Sequence, residues 1–179
     1  MIRVCVDSGH GLSNQSPGLF DPGAVYGGSR EADVTLEYGL ALRDAILDRR
    51  WTPVMTRSSN IANCPLAGRV LRATNASCDV LISLHCNAAD SETANGTETL
   101  FNTSQAFATR MQAAVVGALG LRDRGVKQRP GLAVLRFDGP CALIELGFLS
   151  NPFDRSVLLA PGARQHVAEQ ICHALAAWH

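Results

Sequence analysis

The sequence predicts an α/β sandwich, because short apolar strands alternate with helical stretches along its 179 residues. Three observations carry this. Val4-Cys5-Val6 and Val80-Leu81-Ile82 are apolar runs suited to buried strands. Stretches of helical periodicity lie between and after them. The meander from His85 to Phe101 then favours a mixed sheet over a purely parallel one.

The elements follow in order. Ile2 to Val6 is a strand, and Gly9 to Arg30 is a long Gly/Ser/Pro-rich loop of a kind that is often functional. Ala32 to Arg50 is a helix, with Val34, Tyr38, Ala41, Leu42 and Ile46 on one stripe. A short strand at Pro53–Met55 precedes a helix at Leu66–Ala76, whose Arg69 and Arg72 mark its exposed face. Val80 to His85 is the central strand, and Gly96 to Phe101 alternates through Thr97, Thr99 and Phe101. A helix at Gln105–Leu119 ends at Gly120. Strands at Leu132–Leu135 and Ala142–Leu146 and a short helix at Phe153–Leu159 follow. Pro161-Gly162-Ala163 opens the last helix, which runs to Trp178 with Val167, Ile171 and Leu175 on its apolar face. With no repeat, low-complexity tract or linker, residues 1–179 read as a single domain.

Composition narrows the function. Hydrophobic residues make up 46% and charged residues 18%, which argues against disorder. The 16 basic and 16 acidic residues balance, so nucleic acid is not an expected partner. No apolar run reaches the ~18 residues of a membrane span. The chain enters its first strand at Ile2 without a signal-peptide pattern, so synthesis in the cytoplasm is expected. The six cysteines, Cys5, Cys64, Cys78, Cys86, Cys141 and Cys172, form no CxxC pair and read as free thiols. Cys86 should point away from whatever its neighbour His85 binds.

Two histidines carry the chemistry. His10 and His85 each follow an apolar run, where strand ends form the usual ligand crevice of an α/β sheet. Together they could meet on one metal ion, and zinc favours imidazole and carboxylate with one position left for water. Glu31, at the start of the first helix, is the best third ligand. Each has a plainer reading: a satisfied core histidine, or a first-turn carboxylate favoured by the helix dipole. Glu145 lies within Leu143-Ile144-Glu145-Leu146, where a carboxylate is costly to bury. It is either a structural ion pair or a general base with a raised pKa. Among weaker candidates, Glu98 could line the cleft or pair with Arg124. Asn87 could hold the loop after His85, and Asp7 could bond nearby backbone. Arg57 reads as a solvated arginine.

These residues fall in an ordered set. Val6-Asp7-Ser8-Gly9-His10-Gly11 comes first, then Asp21-Pro22-Gly23-Ala24, Glu31 and Ser83-Leu84-His85-Cys86-Asn87-Ala88. Gly96-Thr97-Glu98-Thr99, Arg124-Gly125-Val126-Lys127 and Leu143-Ile144-Glu145-Leu146-Gly147-Phe148-Leu149-Ser150-Asn151 complete it. The set resembles the zinc-dependent N-acetylmuramoyl-L-alanine amidases over nearly the whole chain. The resemblance implies a three-layer α/β/α sandwich around a six-stranded mixed twisted sheet. It implies zinc on His10, Glu31 and His85, with Glu145 as the catalytic glutamate. The implied reaction cuts the amide between the lactyl group of N-acetylmuramic acid and the L-alanine of the peptidoglycan stem. Two departures stand out: Leu12 to Phe20 lengthens the spacing from His10 to Asp21, and Cys86 replaces a residue that is usually alanine. Division-regulated members resemble one another in an extra helix that plugs the zinc site. Between Ala88 and Pro140 only one core-like helix is expected here, which predicts constitutive activity. With no wall-binding module visible, the expectation is a monomeric, endolysin-like lytic enzyme or a wall-remodelling one, acting on the wall after release or export.

Other classes stay open. A zinc carboxypeptidase or other metallopeptidase would keep the metal and cut within the stem peptide. A non-catalytic peptidoglycan-binding module would not need Glu145. A serine hydrolase using Ser8 lacks a GxSxG elbow.

Overall fold

The apolar runs at Val4 and Val80 lie side by side in the structure, a computed structural model that describes residues 2–178. Six strands build one sheet: β1 (Arg3–Ser8), β2 (Thr52–Met55), β3 (Val80–Asn87), β4 (Thr97–Phe101), β5 (Asp123–Gln128) and β6 (Cys141–Phe148). Their spatial order is β2-β1-β3-β6-β4-β5. The first four in that order run parallel. β4 is antiparallel to β6, and β5 follows β4 in parallel, so the sheet is mixed as expected. Among the described residues five α-helices accompany it: α1 (Glu31–Asp48), α2 (Leu66–Asn75), α3 (Gln105–Leu119), α4 (Pro152–Leu159) and α5 (Ala163–Ala176).

Strand alternation sorts the core into two unequal layers. Val4, Val6, Ile82, Leu84, Cys86, Ile144 and Leu146 face one way, into a large cluster with α1, α3 and α5. Cys5, Leu81 and Leu143 face the other way, against Ala73 of α2 and Val134 and Leu135. Along β3 this second face continues through Ser83 to His85, and along β6 from Leu143 to Glu145. The small apolar layer therefore gives way to polar side chains at the carboxyl ends of the two central strands. Cys86 lies in the opposite layer, away from His85, and all six cysteines are free. No helix among the described residues is long and apolar enough to cross a membrane.

Two expected features are corrected. Leu132–Leu135 is not a strand; Ala133–Arg136 forms a 3-10 turn. It buries Val134 and Leu135 together on the sheet, whereas an alternating strand would send these neighbours to opposite sides. The sixth strand is instead β5, whose sequence Asp-Arg-Gly-Val-Lys-Gln carries one large apolar residue, Val126. As an edge strand it needs no apolar alternation, and its charges protect the open edge from pairing with other chains. The loop from Gly9 to Arg30 contains two small hairpins, pairing Gly11–Leu12 with Phe20–Asp21 and Val25–Tyr26 with Ser29–Arg30.

The turn predicts a pattern of core sensitivity. Val134→Ala and Leu135→Ala should each destabilise the protein, Leu135→Ala by about 2–4 kcal/mol, in urea unfolding. Leu132→Ala, at a residue 36% exposed, should change stability by less than about 1 kcal/mol.

Candidate metal centre

The site forms where β1 and β3 end. After Ser8 the chain turns sharply, and His10 adopts a left-handed backbone with φ 62°. A non-glycine residue persists there only when its surroundings hold it. Two buried arginines provide that hold. Arg57 donates to the carbonyls of Ser8 (2.9 Å), Gly9 (2.8 Å) and Ala32 (2.6 Å). Arg69 donates to the carbonyls of Ser8 (2.8 Å) and His10 (2.7 Å). Ala32 adjoins Glu31, so Arg57 ties the His10 turn to the start of α1.

Glu31 is the first residue of α1 and is buried. Its Oε1 lies 2.9 Å from His85 Nδ1 and accepts the Cys86 amide at 3.0 Å. Its Oε2 lies 3.0 Å from His10 Nε2 and accepts the Ala24 amide at 3.0 Å. One ligand atom from each of His10, Glu31 and His85 falls within 4.8 Å of the others. Burial alone would raise the Glu31 pKa, but the two imidazoles hold it far below the usual carboxylate range. Burial alone would likewise lower His10, yet Glu31 and Asp21 raise it. Both shifts follow from the close approach of the carboxylates to the imidazoles.

Asp21 orients His10. Its Oδ2 sits 2.9 Å from His10 Nδ1, which leaves Nε2 for the centre. Asp21 is held by the Asn14 side-chain amide (2.7 Å) and the Gly23 backbone amide (2.9 Å). Asn14 belongs to the long Leu12–Phe20 segment, so that segment folds back to support the site. Gly23 has φ 65°, and a Cβ there would strike Glu31 Oε2 and His10. At Gly9 a Cβ would overlap the His85 ring.

Glu145 pairs with His85 across β6 and β3. Its Oε2 is shielded from solvent and, among the described residues, has no hydrogen-bond partner. Burial pushes its pKa up to about 7, with His85 opposing and Glu31 and Glu98 reinforcing. The sheet thus sets an unpartnered carboxylate beside a tight imidazole–carboxylate–imidazole cluster. Two imidazole nitrogens and one carboxylate oxygen are a donor set that zinc favours.

The arginines correct the sequence reading. Arg57 and Arg69 are 1% and 2% exposed, neither solvated nor on an open helix face. Asp7 meets side chains rather than local backbone: Arg69 at 2.6 Å, Thr56 at 2.7 Å and Ser83 at 2.6 Å. Burial opposes its charge, but Arg69 and the two hydroxyls still hold its pKa below the usual value. Burial, then the nearby Arg69 charge, brings Arg57 down to about 10, so it stays protonated at neutral pH. Arg72 is exposed as expected, although it donates to the Met55 and Thr56 carbonyls. Glu98 does pair with Arg124 (2.6 Å), and Asn87 caps the Ala88 amide (2.9 Å). Among the described residues between Ala88 and Pro140, α3 is the one α-helix, and its Phe107, Ala108, Met111 and Val115 lie in the core rather than over the site.

Removing one partner of the buried Asp7–Arg69 pair leaves an uncompensated charge. Arg69→Met should cost about 3–5 kcal/mol in urea unfolding and weaken zinc affinity in chelator competition. Asp21→Ala should weaken zinc affinity by about 10–100-fold with a smaller change in stability, because it frees the His10 ring.

Comparisons with known proteins identify the family and the fold. The chain matches the N-acetylmuramoyl-L-alanine amidase family over residues 4–177. It is 31% identical over 174 residues to the amidase LytC of Bacillus subtilis (strain 168), covering 94% of this chain and 34% of that protein. The germination-specific N-acetylmuramoyl-L-alanine amidase of the same organism is 30% identical over 186 residues, covering 94% of this chain and 76% of the relative. The chain thus spans about a third of LytC and three quarters of the germination enzyme. The solved catalytic domain of CwlV, an N-acetylmuramoyl-L-alanine amidase from Bacillus (Paenibacillus) polymyxa var. colistinus, superposes with a TM-score of 0.90 at 30% identity, covering 99% of this chain and 98% of that one. By sequence along nearly its whole length and by the layout of its sheet, this chain belongs to the N-acetylmuramoyl-L-alanine amidase family.

Proposed function

We propose that this chain hydrolyses the amide joining the lactyl group of N-acetylmuramic acid to the L-alanine of the peptidoglycan stem peptide. His10, Glu31 and His85 hold zinc, and Glu145 is the general base. The observation that carries this reading is the unpartnered Glu145 oxygen beside three converging ligand atoms. Zinc held by these three residues would supply a Lewis acid for the scissile carbonyl and would lower the pKa of a bound water toward neutrality.

The chain's own groups do the rest. Glu145 takes the proton from the attacking water and passes it to the alanine nitrogen, a poor leaving group until protonated. Its raised pKa suits both halves of that task, since a base near neutrality can also act as an acid. Asp21 fixes the His10 ring, and Arg57 and Arg69 fix the backbone that carries it. The same groups could serve a metallopeptidase acting within the stem, so the bond broken decides between the two. A lytic, endolysin-like role and a wall-remodelling role both follow from this chemistry.

Glu145→Gln should retain zinc at the native stoichiometry and lose about 10²–10⁴-fold in kcat on purified peptidoglycan. Retained turnover would remove Glu145 from the mechanism. A second consequence concerns stability. The folded pKa of Glu145 lies above its ordinary value of 4.5, at about 7, so the folded state favours the protonated carboxyl. That contribution is present at low pH and is lost as pH rises through about 7. Metal-free Glu145→Gln should therefore exceed the metal-free native protein by up to about 3 kcal/mol at pH 8, and match it near pH 4. Parallel stability curves for the two proteins would contradict the raised pKa.

A further inference from the structure

Glu98 stands directly opposite Glu145 in the antiparallel β4–β6 pair. Their side chains leave the same face of the sheet, with Cβ atoms about 5 Å apart. Two cations reach Glu98 from the edge strand β5. Arg124 Nε and Lys127 Nζ each lie 2.6 Å from the same oxygen, Oε2. Among the described residues Oε1 accepts only a long 3.4 Å bond from Asn87. The cluster therefore sets two positive charges against one negative.

Exposure divides the cluster. The Glu98 side chain is 9% exposed, whereas those of Arg124 and Lys127 are 27% and 33% exposed. Arg124 is held in place, with its guanidinium 4.9 Å from the Phe148 ring centroid and Nη1 donating to the Asn95 carbonyl at 3.3 Å. Among the described residues the Lys127 ammonium meets Glu98 alone. An ammonium has three donors, so two remain for a ligand. Neutralising Glu98 would take one cation; the second is surplus, fixed and open to solvent.

We infer that Lys127 and Arg124 form a carboxylate-binding subsite for the stem peptide, one or two residues beyond the amide that is cut. This inference rests on the amidase reading. Strands are spaced by about 4.8 Å, and both cations reach back over β4, which places them roughly 5–10 Å from Glu145. An extended peptide advances about 3.3–3.6 Å per residue, so a carboxylate on the second stem residue falls within reach. Lysine and arginine bind a carboxylate by charge-assisted hydrogen bonds that a neutral carboxamide cannot match. The subsite would therefore read whether that stem residue is acidic or amidated.

The test is calorimetric binding to the zinc-loaded protein, which needs no turnover. Two synthetic L-alanyl peptides differ only in a free carboxylate or a carboxamide on the second residue. The native protein should prefer the carboxylate by about tenfold, the scale of one charge-assisted hydrogen bond. Lys127→Gln should erase the preference, and Lys127→Arg should keep most of it, both with zinc content and Tm as in the native protein. In turnover of matched muropeptides, Lys127→Gln should raise KM for the acidic substrate several-fold more than for the amidated one. Equal binding of the two peptides by the native protein, binding of neither, or an equal loss for both in Lys127→Gln would overturn the subsite. If the native protein discriminates between the peptides yet leaves the lactyl–alanine bond intact, the amidase reading falls and the carboxylate site stands.

Discussion

The Glu31 carboxylate is the tie on which the rest of the site depends. Through its two oxygens it meets His10 of the turn after β1, His85 of β3, and the backbone amides of Ala24 and Cys86. Three segments, the His10 turn, the loop at Ala24 and strand β3, thus converge on one buried anion. Burying a carboxylate is costly unless its charge is matched. Here the match comes from two imidazoles that point inward because the sheet and Asp21 leave them no other direction. A cation between them, whether proton or metal, completes the pocket.

Beneath this tie lies a second layer of buried charge. Asp7, Arg57 and Arg69 put two guanidiniums and one carboxylate under the His10 turn, and backbone carbonyls accept the surplus donors. Such a network is a weak source of net stability but an effective way to impose one geometry. It holds His10 in a left-handed conformation and anchors it to the first turn of α1. The precision of the site is therefore set by residues that never face it.

How much of this was legible depends on how far each signal reaches along the chain. His10, His85 and Glu145 stand out because each is a polar residue in or at the end of an apolar strand, and strand alternation aims the last two at one face. Glu31 is marked by its place at a helix start after a long loop. The edge strand β5 was hidden because solvent, not core, sets its composition, and the apolar Leu132–Leu135 stretch took its place. Arg57 and Arg69 look like surface residues because their partners are carbonyls and a carboxylate about 50–60 positions away. No local pattern encodes that burial. The role of Asp21 was equally hidden, since its bond to His10 forms only once the intervening hairpin closes.

The central claim is that a metal held by His10, Glu31 and His85 serves cleavage at the lactyl–alanine bond. Mass spectrometry of purified peptidoglycan digested with native, chelator-treated and zinc-restored protein tests it most directly. The account predicts glycan strands with free lactyl groups and stem peptides with a free L-alanine amine, lost on chelation and recovered with zinc. Cleavage within the stem peptide, or digestion indifferent to chelation, would contradict it.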